Sequence, residues 1–156
     1  MTQTASDLSP SAQSAIADAL NQCVAETAVT TMLAQNFHWN VTGMAFGPLH
    51  AMFQEIYEDH FVAQDDLAER IKALDAHADG MLAVMLKRSK VAEHDGHTDD
   101  KTMVKMLQEA QETLAATLAA AGELAAEHGD TLTEDLCIAR GQTHEKFAWM
   151  LRSHLA

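Results

Sequence analysis

The sequence predicts an all-α domain: four long helices in one bundle, with one long crossover between the second and the third. Apolar residues recur at helical spacing through four stretches, no stretch shows the β-branched alternation of a strand, and Pro occurs only twice in 156 residues. With 47% apolar content, the chain is long enough to bury one core. We therefore expect a single domain over residues 9–156, preceded by a flexible segment at 1–8.

The first helix opens at Pro10 with Ser9 as N-cap, since Pro is preorganised for a first turn and a Ser hydroxyl can accept from an orphan N–H. Ile16, Leu20, Cys23, Val24, Ala28, Met32, Leu33 and Phe37 give it a stripe running up to His38, and Thr42-Gly43 stops it. Gly47-Pro48 breaks the chain and places the second helix from Pro48 to about Ala76, ahead of the breaker Ala78-Asp79-Gly80. Along that helix Leu49, Phe53, Ile56, His60, Gln64, Leu67, Ile71 and Leu74 fall within about 60° of one line, a core stripe in which His60 needs only a local hydrogen bond. His50, Gln54, Phe61, Asp65 and Glu69 fall at roughly 100° to 200°, a second face that the chain's own core leaves uncovered.

Met81 to Arg88 forms a short helix in the crossover, and the loop EHDGHTDD (93–100) ends in a Thr98 cap. The third long helix runs from Asp100 to Glu127, with Met103, Leu107, Ala110, Leu114, Leu118, Ala121 and Leu124 on one side and Gly129 as terminator. Thr131-Leu132-Thr133-Glu134 matches a capping box, so the fourth helix starts there and continues to about Leu155.

Charge narrows the partners. With 10 basic and 23 acidic residues the chain carries −13, and its first Lys or Arg is Arg70. Counterion release needs cations, and neither terminus supplies a cluster, so duplex DNA is not an expected partner. Cys23 and Cys137 form no CxxC motif and read as reduced thiols in a cytoplasm. No basic region leads into an apolar run at the amino end, and no apolar stretch reaches membrane length, so neither a signal peptide nor a membrane span is expected. A phosphate-binding glycine loop, HExxH and GxSxG are all missing from the sequence.

A metal is the chemistry that remains. Taken singly, His38 or His50 reads as a hydrogen-bonded structural histidine, and Asp65 and Glu69 as a solvated face or as partners for Arg70 or Lys72. Together they offer two imidazoles and two carboxylates with open positions, a set suited to Fe(II), Mn(II) or Zn(II). His50 and Asp65 lie about 22 Å apart on a straight helix, so one ion cannot touch both within a chain. The gap closes if an identical helix runs antiparallel about a two-fold axis, crossing near Tyr57 to Asp59, since His50 then faces Asp65 and Glu69 of the second copy. His38 joins His50 because Val41 to Gly47 can reverse the chain. The sequence contains no Glu-x-x-His pair, the device that holds two irons inside a single bundle.

His38-Trp39-Asn40, Gly43, Phe46, Leu49-His50, Phe53, Tyr57, Asp65 and Ala68-Glu69-Arg70-Ile71 resemble the signature of the Dps miniferritins. The resemblance continues through Asp130, Thr133, Asp135-Leu136, His144-Glu145-Lys146 and Trp149-Met150-Leu151-Arg152, covering most of residues 25–155. It implies a ferritin-like four-helix bundle assembled as a dodecameric hollow cage. It also implies that Fe(II) is oxidised by hydrogen peroxide or oxygen and stored as ferric mineral, without an organic cofactor. The ferroxidase site it implies is intersubunit, with His38 and His50 from one chain and Asp65 and Glu69 from its neighbour. Asp130 and Asp135 match positions that line acidic three-fold pores. Trp39 reads either as a core anchor or, by resemblance, as an electron source beside the iron. The family usually has an aspartate where this chain has Gln54, a neutral and weaker ligand for the second iron. The competing class is a nucleoid protein that condenses DNA with the same cage, which the charge distribution disfavours.

Overall fold

In the computed structural model, which describes residues 4–156, each helix begins and ends where a specific backbone requirement is met. The Ser9 hydroxyl accepts the Ala12 N–H at 3.2 Å and opens α1 (Pro10–Asn40) on its proline. Gly43, at φ 105°, turns the chain out of α1. α2 (Phe46–Ala73) begins two residues ahead of the expected Pro48. First-turn N–H groups have no intrahelical acceptor, so Pro48 loses nothing by lying inside that turn. The helix also ends early, because Asp75 adopts φ 58°. There the Asp75 N–H bonds Lys72 O at 3.0 Å and the Ala76 N–H bonds Ile71 O at 3.2 Å, a Schellman closure built on aspartate instead of glycine.

α3 (Leu82–Arg88) occupies the crossover, as expected. α4 (Asp100–Glu127) is capped by Asp99 and not by Thr98: the Asp99 carboxylate accepts the Thr102 N–H at 2.8 Å and its hydroxyl at 3.0 Å. Gly129, at φ 78°, ends it. α5 (Thr131–Ser153) starts where the sequence places it, but Asp130 is the cap, accepting the Thr133 N–H at 3.1 Å, and the Thr131–Glu134 box does not form. In both places an aspartate adjacent to the expected threonine takes the cap, Asp99 one residue after Thr98 and Asp130 one residue before Thr131, since it brings a full negative charge to the positive end of the helix. Of the segment expected to be loose, residues 1–3 lie outside the described residues. Ala5–Asp7 form a 3-10 turn, and Leu8 is buried with the core, so packing begins ahead of Ser9.

α1 packs along α2 and α4 along α5, with α1 also meeting α4 and α3 lying on α1. The result is the four-helix bundle with one long crossover. One apolar cluster joins Phe37, Phe53, Ile56, Leu107, Phe147 and Leu151. A second joins Ile16, Leu20, Leu67, Ile71, Leu118 and Cys137. Each fully buried Leu, Ile or Phe contributes about 1.5–3 kcal/mol. Met32, expected in the α1 stripe, is instead exposed.

A polar layer separates the two clusters. Asp59 receives both guanidinium arms of Arg140, at 3.2 and 2.7 Å, and the His60 Nδ1–H at 2.9 Å. A carboxylate only accepts, so the His60 proton is on Nδ1 and its Nε2 accepts from the Gln111 amide nitrogen at 2.9 Å. Gln111 Oε1 then takes the His144 Nδ1–H at 2.7 Å, and His144 Nε2 accepts from Arg140 at 3.3 Å. The loop of bonds closes with every direction fixed and both histidines neutral. His60, Gln111 and His144 are all fully buried, so the local bond expected for His60 is one part of a larger network.

Candidate metal centre

The reversal after α1 brings His38 and His50 face to face. Their rings stack with centroids 3.7 Å apart and 16° between planes. Each ring bonds the other residue's backbone: His38 Nδ1 donates to His50 O, and His50 Nδ1 to His38 O, both at 2.7 Å. The His38 carbonyl belongs to the last turn of α1, where carbonyls lack an intrahelical donor, and His50 supplies one. Because a carbonyl can only accept, Nδ1 carries a proton in both rings, which leaves Nε2 as the nitrogen that a neutral imidazole offers to a metal. Phe46 stacks on His50 at 5.0 Å, and the Tyr57 ring stands edge-on to His38 at 5.3 Å. These aromatics hold the two rings in place, one on each side.

Asp65 and Glu69 lie further along α2 and are exposed. Among the described residues nothing bonds to either carboxylate. Arg70 turns instead to Asp130 and Thr133, each at 2.8 Å, and Lys72 to Ala76 O at 2.7 Å, so pairing within the helix does not account for the two acids. Among the described residues no group of three His, Cys, Asp or Glu could hold a metal within one chain. One chain therefore brings the two imidazoles together and leaves Asp65 and Glu69 apart from them. Phe61, at 71% exposure, and Val62, at 60%, stand beside Asp65 on this face, an apolar surface of the kind that marks an interface. Gln54 follows His50 by one turn and donates from Nε2 to Glu58 Oε1 at 2.7 Å. Glu58 escaped the sequence reading, although its position four residues after Gln54 was the available signal.

Trp39 is 62% exposed and lines a groove of about 480 Å³ with Met32, Leu33, Leu82 and Leu86. The core-anchor reading of Trp39 is therefore corrected: α3 is too short to cover this side of α1, and both Trp39 and Met32 face the gap. The Asp130 carboxylate is buried and used within the chain, capping α5 and pairing with Arg70. Asp135 is exposed. Both cysteines are free and buried. Burial pushes the Cys23 thiol far up, and burial with the nearby Asp130 charge pushes Cys137 up to about 11, so both stay protonated and are poor nucleophiles.

The ferritin-like domain family matches residues 17–156. General stress protein 20U of Bacillus subtilis is 34% identical over 137 residues, covering 88% of this chain and 94% of that protein. The DNA protection during starvation protein of Helicobacter pylori is 33% identical over 138 residues, covering 88% and 96%. Among solved structures, the Dps protein from Vibrio cholerae O1, described as a member of a broad superfamily of ferritin-like diiron-carboxylate proteins, aligns with a TM-score of 0.92 at 34% identity, covering 96% of this chain and 94% of that one. Dps from Staphylococcus aureus aligns with a TM-score of 0.87 at 34% identity, covering 90% and 95%. Among the described residues no helix is long and apolar enough to cross a membrane.

Proposed function

The chain belongs to the Dps family of ferritin-like miniferritins, and from that premise we propose that it oxidises Fe(II) at sites shared between two copies and stores the ferric product. The observation that carries the proposal is the reciprocal His38–His50 pair. It fixes two Nε2 lone pairs on a chain whose unpaired carboxylates, Asp65 and Glu69, lie on the same helix but out of reach. A second copy crossing α2 antiparallel near Tyr57 to Asp59 brings its Asp65 and Glu69 to these imidazoles, and the exposed Phe61 and Val62 are buried in the same contact. Two equivalent sites per dimer follow, within a cage of twelve chains acting in the cytoplasm.

Fe(II) is the substrate here. It enters through acidic pores where three copies meet, with Asp135 presenting its charge and Asp130, tied to Arg70, holding the start of α5 in position. Two Fe(II) ions give one electron each to a hydrogen peroxide molecule, whose O–O bond breaks, and two protons complete two waters. Taking the electrons pairwise avoids release of hydroxyl radical. Trp39 stands next to His38 in sequence and supplies an electron when only one iron is bound. Gln54 contributes its amide oxygen to the second iron, a weaker ligand than a carboxylate. Several relatives carry DNA protection in their names. With −13 charges per chain and no cation before Arg70, protection by this chain works through removal of iron and peroxide, without gripping DNA.

Mixing two inactive variants tests the shared site. His38→Ala/His50→Ala chains and Asp65→Ala/Glu69→Ala chains, exchanged into hybrid assemblies, should recover part of the ferroxidase activity, because each hybrid dimer regains one whole site. No recovery after demonstrated subunit exchange would refute the shared geometry.

A further inference from the structure

We propose that Glu58 is a positioning residue for the second iron, acting through Gln54; this rests on the ferroxidase reading above. The bond between the two side chains measures 2.7 Å. An ionised carboxylate has no proton to give, so the donor must be the Gln54 amide nitrogen. That fixes the amide: Nε2 is turned toward Glu58, and Oε1 is left without a donor among the described residues. His50, Gln54 and Glu58 follow one another at single-turn intervals on the face that the chain's own core leaves uncovered. Gln54 therefore stands one turn from His50 on that face with its carbonyl oxygen unbonded among the described residues.

A glutamine alone is an ambiguous ligand, because rotation of its amide presents a repelling N–H as readily as an attracting oxygen. Glu58 removes that ambiguity. It also supplies charge where the chain's own half of the site has none, since His38 and His50 are neutral donors and Gln54 carries no charge. Among the described residues Glu58 has no cationic partner, so its charge is uncompensated within the chain. An exposed Gln–Glu pair at this spacing also stabilises its own helix. The two roles separate in what is measured, because a pair that only stabilises its helix would change Tm on substitution and leave the second metal-binding event where it was.

The experiment is an anaerobic titration of the assembled protein with Fe(II) and, separately, with Co(II), which does not turn over. Wild type should show two binding events per site, the second weaker. Glu58→Ala should weaken the second event about tenfold and leave the first unchanged. Glu58→Gln, which keeps an acceptor oxygen without the charge, should fall between. In a Gln54→Asp background Glu58→Ala should weaken the second event clearly less, because only the charge of Glu58 is lost there and no amide remains to be oriented. An unchanged second event in Glu58→Ala alone, or equal weakening in both backgrounds, overturns the proposal while the ferroxidase reading stands. A single event in wild type overturns it likewise, and no event at all sinks both.

Discussion

Acidification should loosen the polar layer at the middle of the bundle, and His144 sets the size of the effect. Burial, reinforced by His60 and Arg140, pushes its imidazole down to about 2 from an ordinary 6.5. His60 is shifted the same way, by burial above all. A base with a lowered folded-state pKa contributes stability that is complete above its unfolded value and is lost as pH falls from there toward the folded value. At pH 4 the unfolded chain has bound the proton that folded His144 refuses, which costs about 3 kcal/mol. His60 adds to this loss. Asp59 joins at lower pH: although burial opposes ionisation, the bonds from His60 and Arg140 hold its carboxyl well below the usual range, so its contribution disappears as it is protonated. Protonation also has no place in the bond pattern, since every acceptor in the loop already faces a donor. The assay is the Tm of the assembled protein between pH 7.5 and 4, compared with His144→Asn, whose amide can still donate toward Gln111 but does not titrate. The variant should start lower at pH 7.5, having lost the packing of the ring. It should then fall by roughly 6–12 °C less than wild type on acidification, about 2–4 °C for each kcal/mol. Parallel curves would refute the account of this layer.

Three further outcomes follow from single residues and a fourth from net charge. Arg70→Ala should destabilise the fold by about 3 kcal/mol in denaturant titration, because it strands the buried Asp130 carboxylate without its cation. Gly96→Ala should cost about 1–2 kcal/mol in the same assay. There φ is +87°, and a Cβ would meet Asn36 Oδ1 at 3.0 Å. Gln54→Asp should tighten the second Fe(II) binding event and speed peroxide-driven oxidation at low iron, read by anaerobic titration and stopped flow. In a gel-shift titration at neutral pH and moderate salt, duplex DNA should run unretarded. Saturable retardation that falls steeply with salt would expose a basic surface hidden in the linear sequence.

Much of the architecture was legible because it is local. Helical periodicity located the four long helices, and Pro10, Gly43 and Gly129 act where their backbone chemistry predicts. Errors of detail arose where two local signals competed. Asp99 and Asp130 took the caps assigned to Thr98 and Thr131, and Pro48 proved tolerable inside a first turn. The candidate site was readable as a set of residues, since spacing on one helix put His50, Gln54, Asp65 and Glu69 on an uncovered face. What spacing could not reveal was contact between distant segments. The mutual capping of His38 and His50 depends on the exact reversal at 41–45. The layer joining Asp59, His60, Gln111, Arg140 and His144 draws on three helices and leaves no periodic trace. Met32 fits the core stripe along α1, yet it and Trp39 face a side that the short α3 does not cover.

The central claim is that His38 and His50 of one chain and Asp65 and Glu69 of another bind the same iron. A crystal of the assembled protein soaked anaerobically in Fe(II), with anomalous difference density measured at the iron edge, tests it most directly. The account predicts peaks at the two-fold interfaces, within ligand distance of the Nε2 atoms of His38 and His50 and of the carboxylates of Asp65 and Glu69 from the facing chain. Density inside a single bundle, or at surface acids with the interface empty, would contradict it.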